Sequence, residues 1–197
     1  MSADRRYVSN AELRVASDAG EMRLEGMAIR YNSLSKANVP AAGCREKISP
    51  GCFTRSLKGD DVMAFYNHDG NALLGRTSNG SLRLMDSKEG LRFSVRLNPN
   101  VSLHRDIHAL VADRTLHDCS FGFVADGDDW ENGTDDEGKR CQIRTVKSGK
   151  LFEISIVGSP AYPSTDATAR SLAYDFARQI TEREPDLREQ FEKVRLF

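Results

Sequence analysis

The chain has 197 residues, of which 39% are hydrophobic and 29% charged, with 28 Lys and Arg set against 29 Asp and Glu. That length suffices for one domain with a buried core, and a net charge of -1 excludes the basic excess that drives non-specific binding to nucleic acid. No apolar run reaches the ~20 residues of a membrane span, and Met1-Ser2-Ala3-Asp4-Arg5-Arg6 lacks the apolar core of a secretion signal, so the chain reads as soluble and cytoplasmic.

The first twenty residues read as a partly flexible segment. Met22, Leu24 and Ala28 then alternate with Arg23 and Glu25, which predicts a half-buried strand ending at Tyr31-Asn32-Ser33. Val62 to Tyr66 and Ser81 to Met85 are further short strands. Leu91, Phe93, Val95 and Leu97 alternate with Arg92, Ser94 and Arg96, another strand, which stops at Asn98-Pro99-Asn100. Leu103, Ile107, Leu110 and Val111 recur at helical spacing after Ser102, a candidate N-cap, and predict one amphipathic helix running towards Asp113.

Strand patterns resume at Ser120 to Val124, Gln142 to Val146 and Phe152 to Val157. Between the first two, Asp126 to Glu137 holds seven acidic residues around Trp130 and Asn132-Gly133. It reads as the solvated tip of a long hairpin; its acids lack the alternation of a calcium loop. After Pro160-Ala161-Tyr162-Pro163 the composition changes. Leu172, Phe176 and Ile180 define a helical face, Pro185 interrupts it, and Leu187, Phe191 and Val194 resume it among charges. The expected fold is α+β, mainly β: a domain over residues 21–170 with an antiparallel barrel or sandwich core, followed by a charged helical tail over 171–197.

Chemistry concentrates at His68, within Asn67-His68-Asp69 at the end of one strand, and at Ser120, at the start of another. A serine hydroxyl needs a base to attack an amide near neutral pH. If Phe121 and Phe123 face the core, Ser120 and Gly122 face away from it. By the same alternation Phe152, Ile154 and Ile156 point inward, which leaves Glu153 and Ser155 on the outer face, where an acid could orient a histidine. Ser120, His68 and Glu153 are thereby permitted to converge on an accessible face.

The competitors are weaker. His104 and His108 are four apart on the predicted helix, but Arg105-Asp106-Ile107 between them lacks the glutamate of the zinc-protease pattern, so both read as surface residues. His117 lies three positions before Ser120 and could be a local hydrogen-bond partner, but so short a separation seldom lets both side chains meet across a site. Cys44, Cys52, Cys119 and Cys141 form no Cys-x-x-Cys pair and read as free thiols. Cys119 adjoins Ser120 and is an alternative nucleophile, weighed against a buried core residue.

Phe53-Thr54-Arg55-Ser56-Leu57, Asn67-His68-Asp69, Leu74-Gly75, Gly90-Leu91, Ser120-Phe121-Gly122-Phe123, Trp130, Leu151-Phe152-Glu153-Ile154-Ser155 and Pro160-Ala161-Tyr162-Pro163 occur in this order. Over residues 22–170 the set resembles the prohead maturation proteases of tailed bacteriophages, which are similar in turn to herpesvirus assemblins. The resemblance implies an antiparallel β-barrel of the assemblin type surrounded by helices, and a serine endopeptidase with His68 as base and Ser120 as nucleophile. Glu153 falls where the family's strand carries the third member; Asp69 is the weaker candidate. The assemblins' second histidine has no counterpart, since no histidine follows His117.

The resemblance further implies no cofactor or metal. Its expected substrates are the phage major capsid protein precursor and the scaffold protein, cut inside the immature capsid in the host cytoplasm, with trimming of the enzyme itself and self-association. Neither nucleic acid nor membrane is an expected partner. The tail is a candidate packaging or restraining segment. The alternative is an inactive capsid- or scaffold-binding module that retains the fold.

Overall fold

The computed structural model describes residues 4–8, 11–16, 21–35 and 40–158. The helical tail expected after residue 170 lies outside them. Among the described residues the fold is mainly β, with few helices. In chain order the elements are β1 (Asp4–Val8), β2 (Arg14–Ala16), β3 (Arg23–Arg30), β4 (Cys44–Ile48), α1 (Thr54–Gly59), β5 (Met63–Tyr66), β6 (Asp69–Arg76), β7 (Leu82–Asp86), β8 (Gly90–Arg96), α2 (Ser102–Ala112), β9 (Asp118–Thr134) and β10 (Arg140–Val157).

Among the described residues these strands form two sheets and no closed barrel. The smaller has the order β2-β3-β8-β7 and is antiparallel throughout. The larger runs β1-β9-β10-β5-β6, with β4 also on β10. Here the structure departs from the antiparallel expectation, because β10 pairs in parallel with both β4 and β5. β10 is 18 residues long, so β4 covers its first half and β5 its second. One apolar core joins both sheets. Leu24, Ile29, Leu91, Phe93 and Val95 come from the smaller, and Phe121, Phe123, Val146, Ile154 and Ile156 from the larger.

The acidic stretch forms the far part of a long hairpin, as expected. β9 continues to Thr134 and β10 begins at Arg140, so most of it is strand and only the tip turns. Helix α2 matches its predicted span, but Val101, not Ser102, takes the N-cap position and no side chain caps it. His104 does related work: its Nδ1 accepts from the Asn98 backbone N–H at 2.9 Å, and its Nε2 lies 3.0 Å from the Leu73 carbonyl. This half-buried ring ties the start of α2 to β6.

Short helix α1 explains the Phe53-Thr54-Arg55-Ser56 run. Phe53 is fully buried and packs edge-on against Phe121 and Phe123, with ring centroids 6.4 and 5.5 Å away. Edge-to-face pairs of this kind contribute about 0.5–1.5 kcal/mol beyond their area burial. Ser56, also fully buried, accepts a hydrogen bond from the Leu151 backbone N–H at 3.0 Å. Leu151 needs that acceptor because a β-bulge follows it. Leu151 pairs with Phe123 and Glu153 with Gly122, so Phe152 is the extra residue.

Candidate active site

Three elements build the site. The first is the β5–β6 hairpin, whose strands close at Tyr66↔Asp69 around the two-residue turn Asn67-His68. Both turn residues have positive φ, 50° and 60°, the signature of a type I′ turn, whose twist matches that of the flanking strands. Asn and His enter this left-handed region more readily than most residues, which is a local reason for the pair. Asn67 also clamps the turn to β10: its N–H donates to the Ile156 carbonyl at 2.9 Å, and its Oδ1 accepts from the Gly158 N–H at 3.2 Å.

The second and third elements are β9 and β10. Ser120 lies directly opposite Ser155, and Gly122 opposite Glu153. Paired residues share a face, so all four positions lie on the side of the sheet away from the Phe121, Phe123, Ile154 and Ile156 core. The bulge corrects one expectation here. Leu151 takes the inward place assigned to Phe152, and Phe152 packs instead in a second, smaller cluster with Phe65, Met63, Leu73 and Val124.

Glu153 reaches from β10 to the hairpin turn. Its Oε1 lies 2.8 Å from His68 Nδ1, and its Oε2 accepts from Ser155 Oγ at 2.6 Å. A carboxylate accepts, so Nδ1 carries the proton and Nε2 bears the lone pair of the neutral ring. That is the tautomer a general base requires. Gly122 makes the reach feasible: a Cβ there would stand 2.9 Å from both Cγ and Oε1 of Glu153, closer than real contacts allow.

The structure thus joins His68, Glu153 and Ser155 in one hydrogen-bonded chain, with Ser120 on the same face at a cross-strand Cα spacing of about 4.5–5.5 Å from Ser155. Contrary to the expectation of an open face, the group is enclosed. Ser120 and Glu153 are 0% exposed and His68 8%. The Ser120 hydroxyl has no hydrogen-bond partner among the described residues, an arrangement that costs about 1–3 kcal/mol.

The other candidates separate from this group. Asp69 is exposed, and its Oδ1 accepts from the N–H and Nδ2 of Asn71. His117 lies at the surface beside Asp118. Burial, with the Asp118 charge beside it, pushes the Cys119 thiol up, away from the thiolate a nucleophile would need. Among the described residues no group of three or more His, Cys, Asp or Glu could hold a metal ion, and no helix is long and apolar enough to cross a membrane.

Comparison with known proteins gives one decisive match. The model of the caudovirus prohead serine protease family covers residues 9–179. The chain belongs to this family. No curated protein and no solved structure shows a significant match.

Of the positions that shape the site, Asn67, Gly122, Ser56 and Ser155 carried no assigned role in the sequence reading. A turn pattern was available for Asn67, as an Asn between two strand-like runs. Nothing local marks Ser56, whose partner Leu151 is 95 residues away.

Proposed function

We propose that the chain is a serine endopeptidase of capsid maturation in which Ser120 is the nucleophile, His68 the general base and Glu153 the acid that orients it. The observation that carries this reading is the 2.8 Å contact between His68 Nδ1 and Glu153 on the sheet face that also holds Ser120. His68 Nε2 takes the Ser120 proton as Oγ attacks the scissile carbonyl, then returns it to the leaving amine. Water releases the acyl group by the same exchange in reverse. Glu153 stabilises the imidazolium that forms in both steps.

The substrates we propose are the major capsid protein precursor and the scaffold protein inside the immature capsid. Support comes from the family alone. Kinship to assemblins belongs to the same proposal and rests on the resemblance alone, since the described strands close no barrel.

One observation favours the alternative of an inactive binding module: Ser120 is fully enclosed, whereas an endopeptidase must admit a polypeptide to its nucleophile. Co-expression with the cognate capsid and scaffold genes, read by fragment masses, separates the two. The protease reading expects defined fragments that vanish with Ser120→Ala. Intact precursors beside the wild-type chain, and no labelling of Ser120 by a fluorophosphonate, would establish the module.

A further inference from the structure

Ser155 stands outside the proposed triad but touches it. It is 1% exposed, lies opposite Ser120, and donates from Oγ to Glu153 Oε2 at 2.6 Å. We propose that Ser155 is a positioning residue that fixes the rotation of the Glu153 carboxylate, so that Oε1 stays aimed at His68. The inference rests on the assignment of His68 as base and Glu153 as its partner.

The last torsion of a glutamate is broad and two-fold, so a carboxylate held at one oxygen can swivel. Glu153 is fully buried and cannot rely on bulk water to hold its second oxygen. Ser155 supplies a donor from the same strand and the same face, because residues two apart on a strand point the same way. The stem of Glu153 meanwhile lies over the space that Gly122 leaves empty. Glycine on β9, hydroxyl on β10 and imidazole on the hairpin turn therefore locate the carboxylate from three directions. A base whose partner swivels loses the tautomer and aim that proton transfer requires, and small misplacements at such a site carry large rate penalties.

The full-length chain offers two readouts that do not depend on knowing its cleavage site. One is the rate at which a fluorophosphonate labels Ser120; the other is the proton NMR signal of the His68 Nδ1–H. Ser155→Ala is expected to slow labelling by about 10- to 100-fold and to move that signal. Ser155→Thr, which keeps the hydroxyl, should recover most of the rate. Should Ser155→Ala fail to fold, Ser155→Cys carries the same comparison with a weaker donor. Because Ser155 acts through Glu153, the double variant Ser155→Ala/Glu153→Gln should label no more slowly than Glu153→Gln alone. Labelling of Ser155→Ala within about twofold of wild type with an unmoved signal, or a double variant slowed by the full product of the single effects, would overturn the proposal. Failure of the wild type to label would sink the nucleophile instead, and the NMR comparison would still decide the role of Ser155.

Discussion

The two halves of the β9–β10 hairpin share one antiparallel ladder, interrupted by bulges, and behave as different materials. Towards the tip, Asp128, Asp129 and Glu131 face Arg144, Lys147 and Lys47 at 2.6–3.5 Å, and the aqueous surface solvates most of these charges. Exposed pairs of that kind typically contribute 0–1 kcal/mol each. Towards the base, Ser120, Glu153 and Ser155 are buried to 1% exposure or less, on the face away from the shared core. There a polar group depends on partners inside the fold, and a lost partner costs about 1–3 kcal/mol. Glu46, 2% exposed and held by Arg6 and Arg144 at 2.9 and 3.1 Å, marks the passage from one regime to the other. Burial, not strand pairing, is what turns the same ladder from a solvated arm into a candidate reaction site.

The sharpest break of that contrast is at the base. Ser120→Ala and His68→Ala should each lower precursor cleavage by roughly a million-fold, the loss seen when nucleophile or base is removed from a serine protease. Ser120→Ala should do so without lowering the thermal midpoint, because it removes a buried hydroxyl that has no partner among the described residues. A destabilised Ser120→Ala would show that the hydroxyl is part of the structure.

Glu153→Gln is expected next, at about 10⁴-fold in kcat, since the amide cannot stabilise the imidazolium. Asp69→Asn should remain within about twofold of wild type in the same assay, as a solvated residue outside the site does. The reverse order would reassign the acid.

Gly122→Ala tests the fit between strands. Its methyl would press on Glu153 Cγ and Oε1, so cleavage should fall about 10- to 100-fold and the fold should lose about 1–3 kcal/mol in denaturant unfolding. Smallest of all is Asp129→Asn on the arm, whose partner Lys147 is 3.5 Å away and half exposed. Its thermal midpoint should stay within about 2 °C of wild type, and cleavage should not change. A marked loss of cleavage there would give the acidic arm a part in substrate capture.

Much of the site was legible from local pattern. Phe121 and Phe123 against Ser120 and Gly122, and Ile154 and Ile156 against Glu153 and Ser155, obey a period of two that survives folding, so the shared face could be read directly. The bulge at Phe152 could not, because it depends on Phe123 and Gly122 across the ladder and on Ser56 in a distant helix. Nor could the parallel β5–β10 pairing be foreseen, since alternation does not reveal the direction of a neighbour.

By itself, the chain's order of residues determined which side chains are candidates for the chemistry, which face of each strand they occupy, and, through its ordered pattern, the family to which it belongs. Tertiary structure alone decided that the strands form two sheets, that the Asn67-His68 turn docks on β10, and that Glu153 extends over Gly122 to meet the imidazole. Only it decided that the face read as open is enclosed. The division has one physical cause: side-chain direction along a strand is set by adjacent backbone, whereas register, bulges and burial are set by partners elsewhere in the chain, as Ser56 is to Leu151.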